Sequence, residues 1–248
     1  MIAKTLRYSA LALMMGMVFF SQQVCVAADE ISALVEAFSE KADYIYVEEL
    51  DERVVVFPTV FRPDPYNKNF RQMLAGSDLK WAKQVLEIGT GSGVNALIAL
   101  KSGAGHVTVT DINENAVYNS RYNAQKFGWE SELAARRVPM SDSGAFSVIK
   151  KDEKFDLILF NPPWFNRKPK NIAEYALYDE NYQLHRSFVS GLADHLTKNG
   201  KAWVELGHHK ALELIEQEAA LHSLNVLVLK KIKIDRVNYT ILEISASA

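Results

Sequence analysis

From Gln84 onward, short apolar runs alternate with longer stretches whose apolar residues recur at helical spacing. The runs predict strands over 84–88, 106–111, 134–139, 155–160 and 201–206. The stretches between them predict helices over about 92–102, 114–127 and 182–198, with Gly128 and Gly200 as C-terminal caps. Strands alternating with helices in this way imply a parallel sheet covered on both faces. Beyond Gly207, residues 209–223 predict another helix. Asn225–Ile234 and Val237–Ile244 then predict a closing antiparallel pair that turns at Asp235-Arg236.

Ahead of Gln84 the pattern differs. Ala10–Phe20 is an apolar run with Lys4 and Arg7 before it, and Val26-Ala27-Ala28 or Cys25-Val26-Ala27 offers small residues for cleavage. This is the layout of a secretory signal peptide, and the run falls short of the roughly 20 apolar residues a membrane span needs. A wrongly assigned start codon or an uncleaved anchor is the alternative. Ile31, Leu34, Val35 and Phe38 predict a short amphipathic helix over 29–42. Tyr44–Phe61 reads as strand material, broken by Pro58, Pro63 and Pro65. The expected organisation is a signal peptide at 1–28, a helix and strand extension at 29–83 and the main α/β domain at 84–248. The expected location is periplasmic or secreted, or cytoplasmic if the signal does not function.

Composition narrows the picture modestly. With 48% hydrophobic and 23% charged residues, 248 residues suit a stable globular domain without disorder. The formal net charge of −2 provides no global basic field for nucleic acid. Removing residues 1–28 would delete Lys4, Arg7 and Cys25, the single cysteine. The mature chain would then carry no disulfide and no cysteine-based metal site, and no metal is expected.

Three motifs carry candidate chemistry. Gly89-Thr90-Gly91-Ser92-Gly93 follows the first strand of the alternating series, where glycines let the backbone turn and approach a ligand closely. A dehydrogenase fingerprint would require glycine at position 94, which is Val94. Asp111 ends the second strand, 22 residues beyond Gly89, and Asn161-Pro162-Pro163-Trp164 follows the strand over 155–160.

In this order and spacing the motifs resemble a class I S-adenosylmethionine-dependent methyltransferase. The nearest resemblance, over residues 53–245, is to the HemK/PrmC-like small-domain N-methyltransferases. It implies a Rossmann-like fold whose mostly parallel seven-stranded sheet ends in an antiparallel hairpin. It also implies a cofactor site of Glu87, Gly89, Thr90, Gly91, Gly93, Asp111, Asp142 and Asn161, with Val56–Pro63 lying over the cofactor. Asp111 can accept both ribose hydroxyls of an adenosyl group, and it is also placed to open a helix. Asp142 is either the acid that accepts from the adenine amine or a simple turn residue.

Asn161, Pro162, Pro163 and Trp164 are the expected catalytic residues. A planar nitrogen delocalises its lone pair and is a poor nucleophile. The Asn161 side-chain oxygen and the Pro162 carbonyl can each accept one of its N–H groups and aim that lone pair. Trp164 can stack on a flat substrate, and it replaces the Tyr or Phe usual in the family. Asp156 reads as structural. The expected substrate is a protein glutamine or a nucleobase amine. A small-molecule acceptor, or an exported protein that binds without catalysis, is the alternative. Asn166-Arg167-Lys168-Pro169-Lys170 would rim the pocket, either gripping a phosphate backbone or as a solvated loop.

Overall fold

The computed structural model describes residues 42–63, 65, 67–234 and 237–247. The signal segment, residues 29–41 of the expected N-terminal helix and the turn at 235–236 lie outside them. Among the described residues, seven strands form one sheet and two form a separate hairpin. The hairpin comprises β1 (Asp43–Val47) and β2 (Glu52–Val56), antiparallel and joined by a four-residue turn. Helix α1 (Lys68–Ala75) follows, then β3 (Gln84–Ile88), α2 (Val94–Lys101), β4 (His106–Asp111), α3 (Glu114–Lys126) and β5 (Leu133–Arg137). The second half comprises β6 (Phe155–Phe160), α4 (Gln183–His195), β7 (Leu196–Leu206), α5 (His209–Leu221), β8 (Leu224–Ile234) and β9 (Val237–Ala246).

The strands lie in the order β5-β4-β3-β6-β7-β9-β8. The first five are parallel, β9 is antiparallel to β7, and β8 is antiparallel to β9. The central strands are apolar because both their faces are covered: Val85, Leu86, Leu157, Ile158, Leu159 and Phe160 are all fully buried. From β3 the chain moves outward through β4 to β5, then returns to β6 on the other side of β3. Such a reversal leaves a crevice at the carboxyl ends of the strands, where open α/β sheets bind ligands.

Local chemistry sets the helix ends near that crevice. Asn113 caps α3, its side-chain oxygen accepting from the Asn115 N–H at 3.1 Å, and Glu114 sits in the first turn. Gly128 follows its C-cap at φ +72°, with the Trp129 N–H on the Ala124 carbonyl and its own N–H on that of Gln125. That is a Schellman ending. Gly200 does not cap a helix. Helix α4 stops at His195 because Leu196 already pairs with Phe155 in the sheet, and Gly200 lies inside β7. A Cβ on Gly200 would lie 2.6 Å from the Phe155 carbonyl, so close strand approach is what requires glycine there. Asp156 is structural: one oxygen accepts the Lys83 and Gln84 N–H groups and the other the Thr197 hydroxyl.

Two asparagines bind the hairpin to α3. Asn119 and Asn123 are fully buried. Their side-chain oxygens accept the N–H of Phe57 (2.8 Å) and Val55 (3.0 Å), and both amide nitrogens donate to the Val55 carbonyl. No described helix is long and apolar enough to cross a membrane.

Candidate active site

The ends of β3, β4 and β6 open into a cavity of about 610 Å³. After β3, Gly89, Gly91 and Gly93 adopt φ of +72°, +55° and +84°, a region that L side chains enter only with strain. The Gly89 and Thr90 N–H groups both donate to the Thr110 carbonyl, which fixes the turn against β4. A Cβ on Gly89 would meet no atom within 4 Å, so its backbone borders open space. Gly93 serves packing instead, since a Cβ there would sit 2.9 Å from that of Ser120 on α3. It lets α3 approach closely and is not among the cavity-lining residues, whereas Gly89, Thr90 and Gly91 are.

Glu87 also departs from its expected place. It is buried behind the turn, where it accepts from the Thr90 hydroxyl at 2.6 Å and the Asn95 amide at 3.0 Å, and it does not line the cavity. Burial pushes its carboxyl up to about 7, against the lowering effect of those two bonds. It braces the glycine turn from the far side.

Asp111 lines the cavity. Its oxygens accept the Gly91 N–H (2.9 Å) and the Asn113 N–H (2.8 Å), yet burial still pushes the carboxyl up to about 6. A carboxylate has about four acceptor positions, so capacity remains for vicinal hydroxyls. Over this corner runs Thr59–Pro63. Thr59 is β-branched yet has φ +69°, held by Asn113, which donates to its carbonyl at 3.0 Å. Asn115 similarly holds the Pro58 carbonyl at 3.0 Å. Thr59, Phe61 and Pro63 all line the cavity.

Asp142 lies outside the cavity. Its N–H closes a turn on the Pro139 carbonyl and its side chain is exposed, while the next residues, Ser143, Gly144 and Ala145, form the wall. The turn geometry directs the backbone of 143–145 inward instead of the carboxylate.

Beyond β6, Asn161 lines the cavity half-buried, and among the described residues its side-chain amide has no hydrogen-bond partner. Pro162 and Pro163 are buried beside it. Trp164 borders the same space, with its ring wedged against Gly207 and edge-on to Tyr239 at 5.4 Å. A Cβ on Gly207 would lie 2.5 Å from the Trp164 ring, so a glycine after β7 makes room for the larger aromatic.

The fold also brings residues to the site that carried no motif. Arg71 of α1 is buried in the wall, with its guanidinium on Glu49 at 3.3 Å and on Asn67. Tyr239 arrives from β9, and Phe165, Tyr175, Leu177 and Tyr178 from the segment before α4. Asp179 lines the wall while its carboxylate caps α4, accepting from the Leu184 and His185 N–H groups and from His185 Nδ1 at 2.7 Å. Phe70 and Leu74, four apart after Pro65, were the available signal for α1. Tyr239 had none.

This strand order, with a glycine turn, an acid and Asn-Pro-Pro-Trp at three strand ends, defines a class I methyltransferase architecture. The chain belongs to the methyltransferase small domain family, whose model matches residues 53–232. The release factor glutamine methyltransferase of Streptococcus pneumoniae is 28% identical over 171 residues, covering 64% of this chain and 56% of that protein. The tRNA1(Val) (adenine(37)-N6)-methyltransferase of Glaesserella parasuis is 26% identical over 147 residues, covering 56% of this chain and 58% of that protein. The chain thus spans less than two thirds of the length of either relative. A solved structure, SMU.776 complexed with SAH, shares the fold with a TM-score of 0.61 at 11% identity, over 82% of this chain and 56% of that one.

S-adenosylmethionine, the cofactor of this family, fits the residues present. Asp111 would hold the ribose hydroxyls, the open backbone at Gly89 and Gly91 would admit the ligand, and Thr59–Pro63 would cover it. When bound, the cofactor supplies an electrophilic methyl group on a sulfonium.

Proposed function

We propose that the protein transfers this methyl group to a planar nitrogen, either a glutamine amide or a nucleobase amine. One observation carries the reading: the uncommitted Asn161 amide, set by two buried prolines, lines the same cavity as Asp111. Asn161 Oδ1 and the Pro162 carbonyl would each accept one N–H of the acceptor, pulling the nitrogen out of conjugation and turning its lone pair toward the methyl. Proline holds that carbonyl at a fixed φ. As the new N–C bond forms the methyl would leave the sulfonium, whose sulfur keeps the bonding pair as a neutral thioether. The nitrogen becomes cationic and one of its two protons departs to water, so no strong base is needed. The named substrates of the two relatives, a glutamine and an adenine N6, are both nitrogens of this kind.

The test is transfer of labelled methyl groups from S-adenosylmethionine to cell lysate. Asn161→Ala should slow transfer about a hundredfold or more, by analogy with the loss of one preorganised hydrogen bond, and by more than any accompanying change in cofactor affinity measured by calorimetry. Transfer at the wild-type rate by Asn161→Ala would overturn the reading.

A further inference from the structure

Many cations of this protein are already committed. Arg62 pairs with Asp43, Arg136 with Glu153, Arg137 with Glu114, Arg186 with Glu218, and Lys201 with Glu243. The segment leaving Trp164 is different. Arg167, Lys168 and Lys170 are exposed, and among the described residues none has a carboxylate within 4 Å of its charged side-chain nitrogens. The acids nearby are largely spent: Asp179 is turned inward onto α4 and His185, and Glu174 accepts the Lys170 backbone N–H at 2.8 Å. Among the described residues, Glu180 is the one carboxylate left exposed in the wall.

Flat rings are interleaved with these cations. Phe165 is 44% exposed at the cavity wall, and the Arg167 guanidinium lies over the Tyr178 ring, 5.2 Å from its centre. Phe165 meets Tyr178 edge-on at 6.5 Å, so ring, ring and guanidinium form one continuous surface. Tyr239 adds a further ring to this cavity wall from β9, where its residue pairs across the sheet with Ile232.

Exposed aromatics cost solvation, and these cations have no carboxylate on their charged ends, so together they describe a surface awaiting a partner. A polynucleotide strand matches both: unstacked bases lie on aromatic rings and phosphates on cations. A glutamine side chain in a protein loop requires neither. Resting on the N-methyl reading above, we infer that the acceptor is an exocyclic amine of an unpaired base in a polynucleotide strand. The reactive base enters toward Asn161 and Pro162, a neighbour stacks on Phe165 and Tyr178, and the flanking phosphates lie along Arg167, Lys168 and Lys170. The overall charge of −2 does not oppose this, because the cations that matter are local and unpaired.

The experiment titrates labelled, unstructured, adenine-containing strands of about 20 nucleotides, longer than one such groove covers, with the full chain across a salt series. RNA and DNA of one sequence form separate arms and decide the sugar. Binding to either arm is expected, with Arg167→Ala/Lys170→Ala weakening it about tenfold. The slope of log affinity against log salt should fall by about 1.4 for two lost single-strand phosphate contacts. Calorimetry with S-adenosylhomocysteine checks the fold and the cofactor site independently. Cofactor binding with no affinity for either strand would overturn the inference and leave the N-methyl reading standing. So would an unchanged affinity and slope in the double variant, or label entering protein glutamine at equal rates with and without the two cations. Absence of S-adenosylhomocysteine binding would overturn both.

Discussion

Glu87 is buried and Asp111 half-buried, among the described residues neither is ion-paired, and desolvation raises Asp111 to about 6 and Glu87 to about 7. Asp111 is most useful as an anion, because charge-assisted bonds to ribose hydroxyls contribute about 1.5–3 kcal/mol each. Cofactor affinity should therefore be level above about pH 7 and fall as pH drops through 6, approaching tenfold per unit. Calorimetry between pH 5 and 8 checks this. Asp111→Asn should flatten that profile and weaken binding ten- to a hundredfold at pH 7.5. The same shift has an opposite effect on the empty protein. A carboxyl raised in the folded state binds more protons there than in the unfolded chain between about pH 4 and 7, so its contribution to stability declines as pH rises through that window. The unliganded Asp111→Asn protein should thus melt above wild type at pH 7.5, with the gap closing toward pH 5. At this scale the sequence was informative where chemistry stays close to the backbone motif: Gly89, Gly91, Asp111 and Asn161 all meet in one cavity. It misled where side-chain direction decides, since Glu87 turns behind the loop and Asp142 turns to solvent.

Among the elements, β3, β4 and β6 lie on the predicted spans because double-sided burial writes an unbroken apolar run. The start of β7 was hidden because Leu196–Gly200 carries polar residues on its exposed side, and helix periodicity from α4 runs into it without a break. Helix α1 was obscured because prolines at 63 and 65 suggested a loop. The connection between β2 and α3 was equally invisible, since nothing in Asn119 or Asn123 announces a partner more than 60 residues away. It can be weighed directly. Asn119→Ala strips the Phe57 N–H of its acceptor in a buried setting, a loss of about 1–3 kcal/mol. Urea unfolding should register that loss with little change in cofactor affinity. Asn123→Ala should match or exceed it, because this amide also donates to the Ser92 carbonyl beside the glycine turn.

For the whole molecule, the cavity wall is assembled from almost every part of the described chain, from Thr59 to Tyr239. A ligand filling it binds the folded state alone, so saturation must stabilise the entire domain. S-adenosylhomocysteine at a hundred times its dissociation constant should add about 2.7 kcal/mol, and at this chain length that raises Tm by about 5–11 °C. Thermal melting with and without ligand measures it. The asparagine pair has a further consequence at this scale. A two-stranded ribbon ordinarily leaves one side of each strand open to invasion by a passing chain. Along β2 that side is occupied by Val55 and, one residue past the strand end, by Phe57, both bonding to carboxamides instead of to a third strand. Helix α3 thereby acts as a counterfeit strand, and this rim of the ribbon is sealed against misassociation.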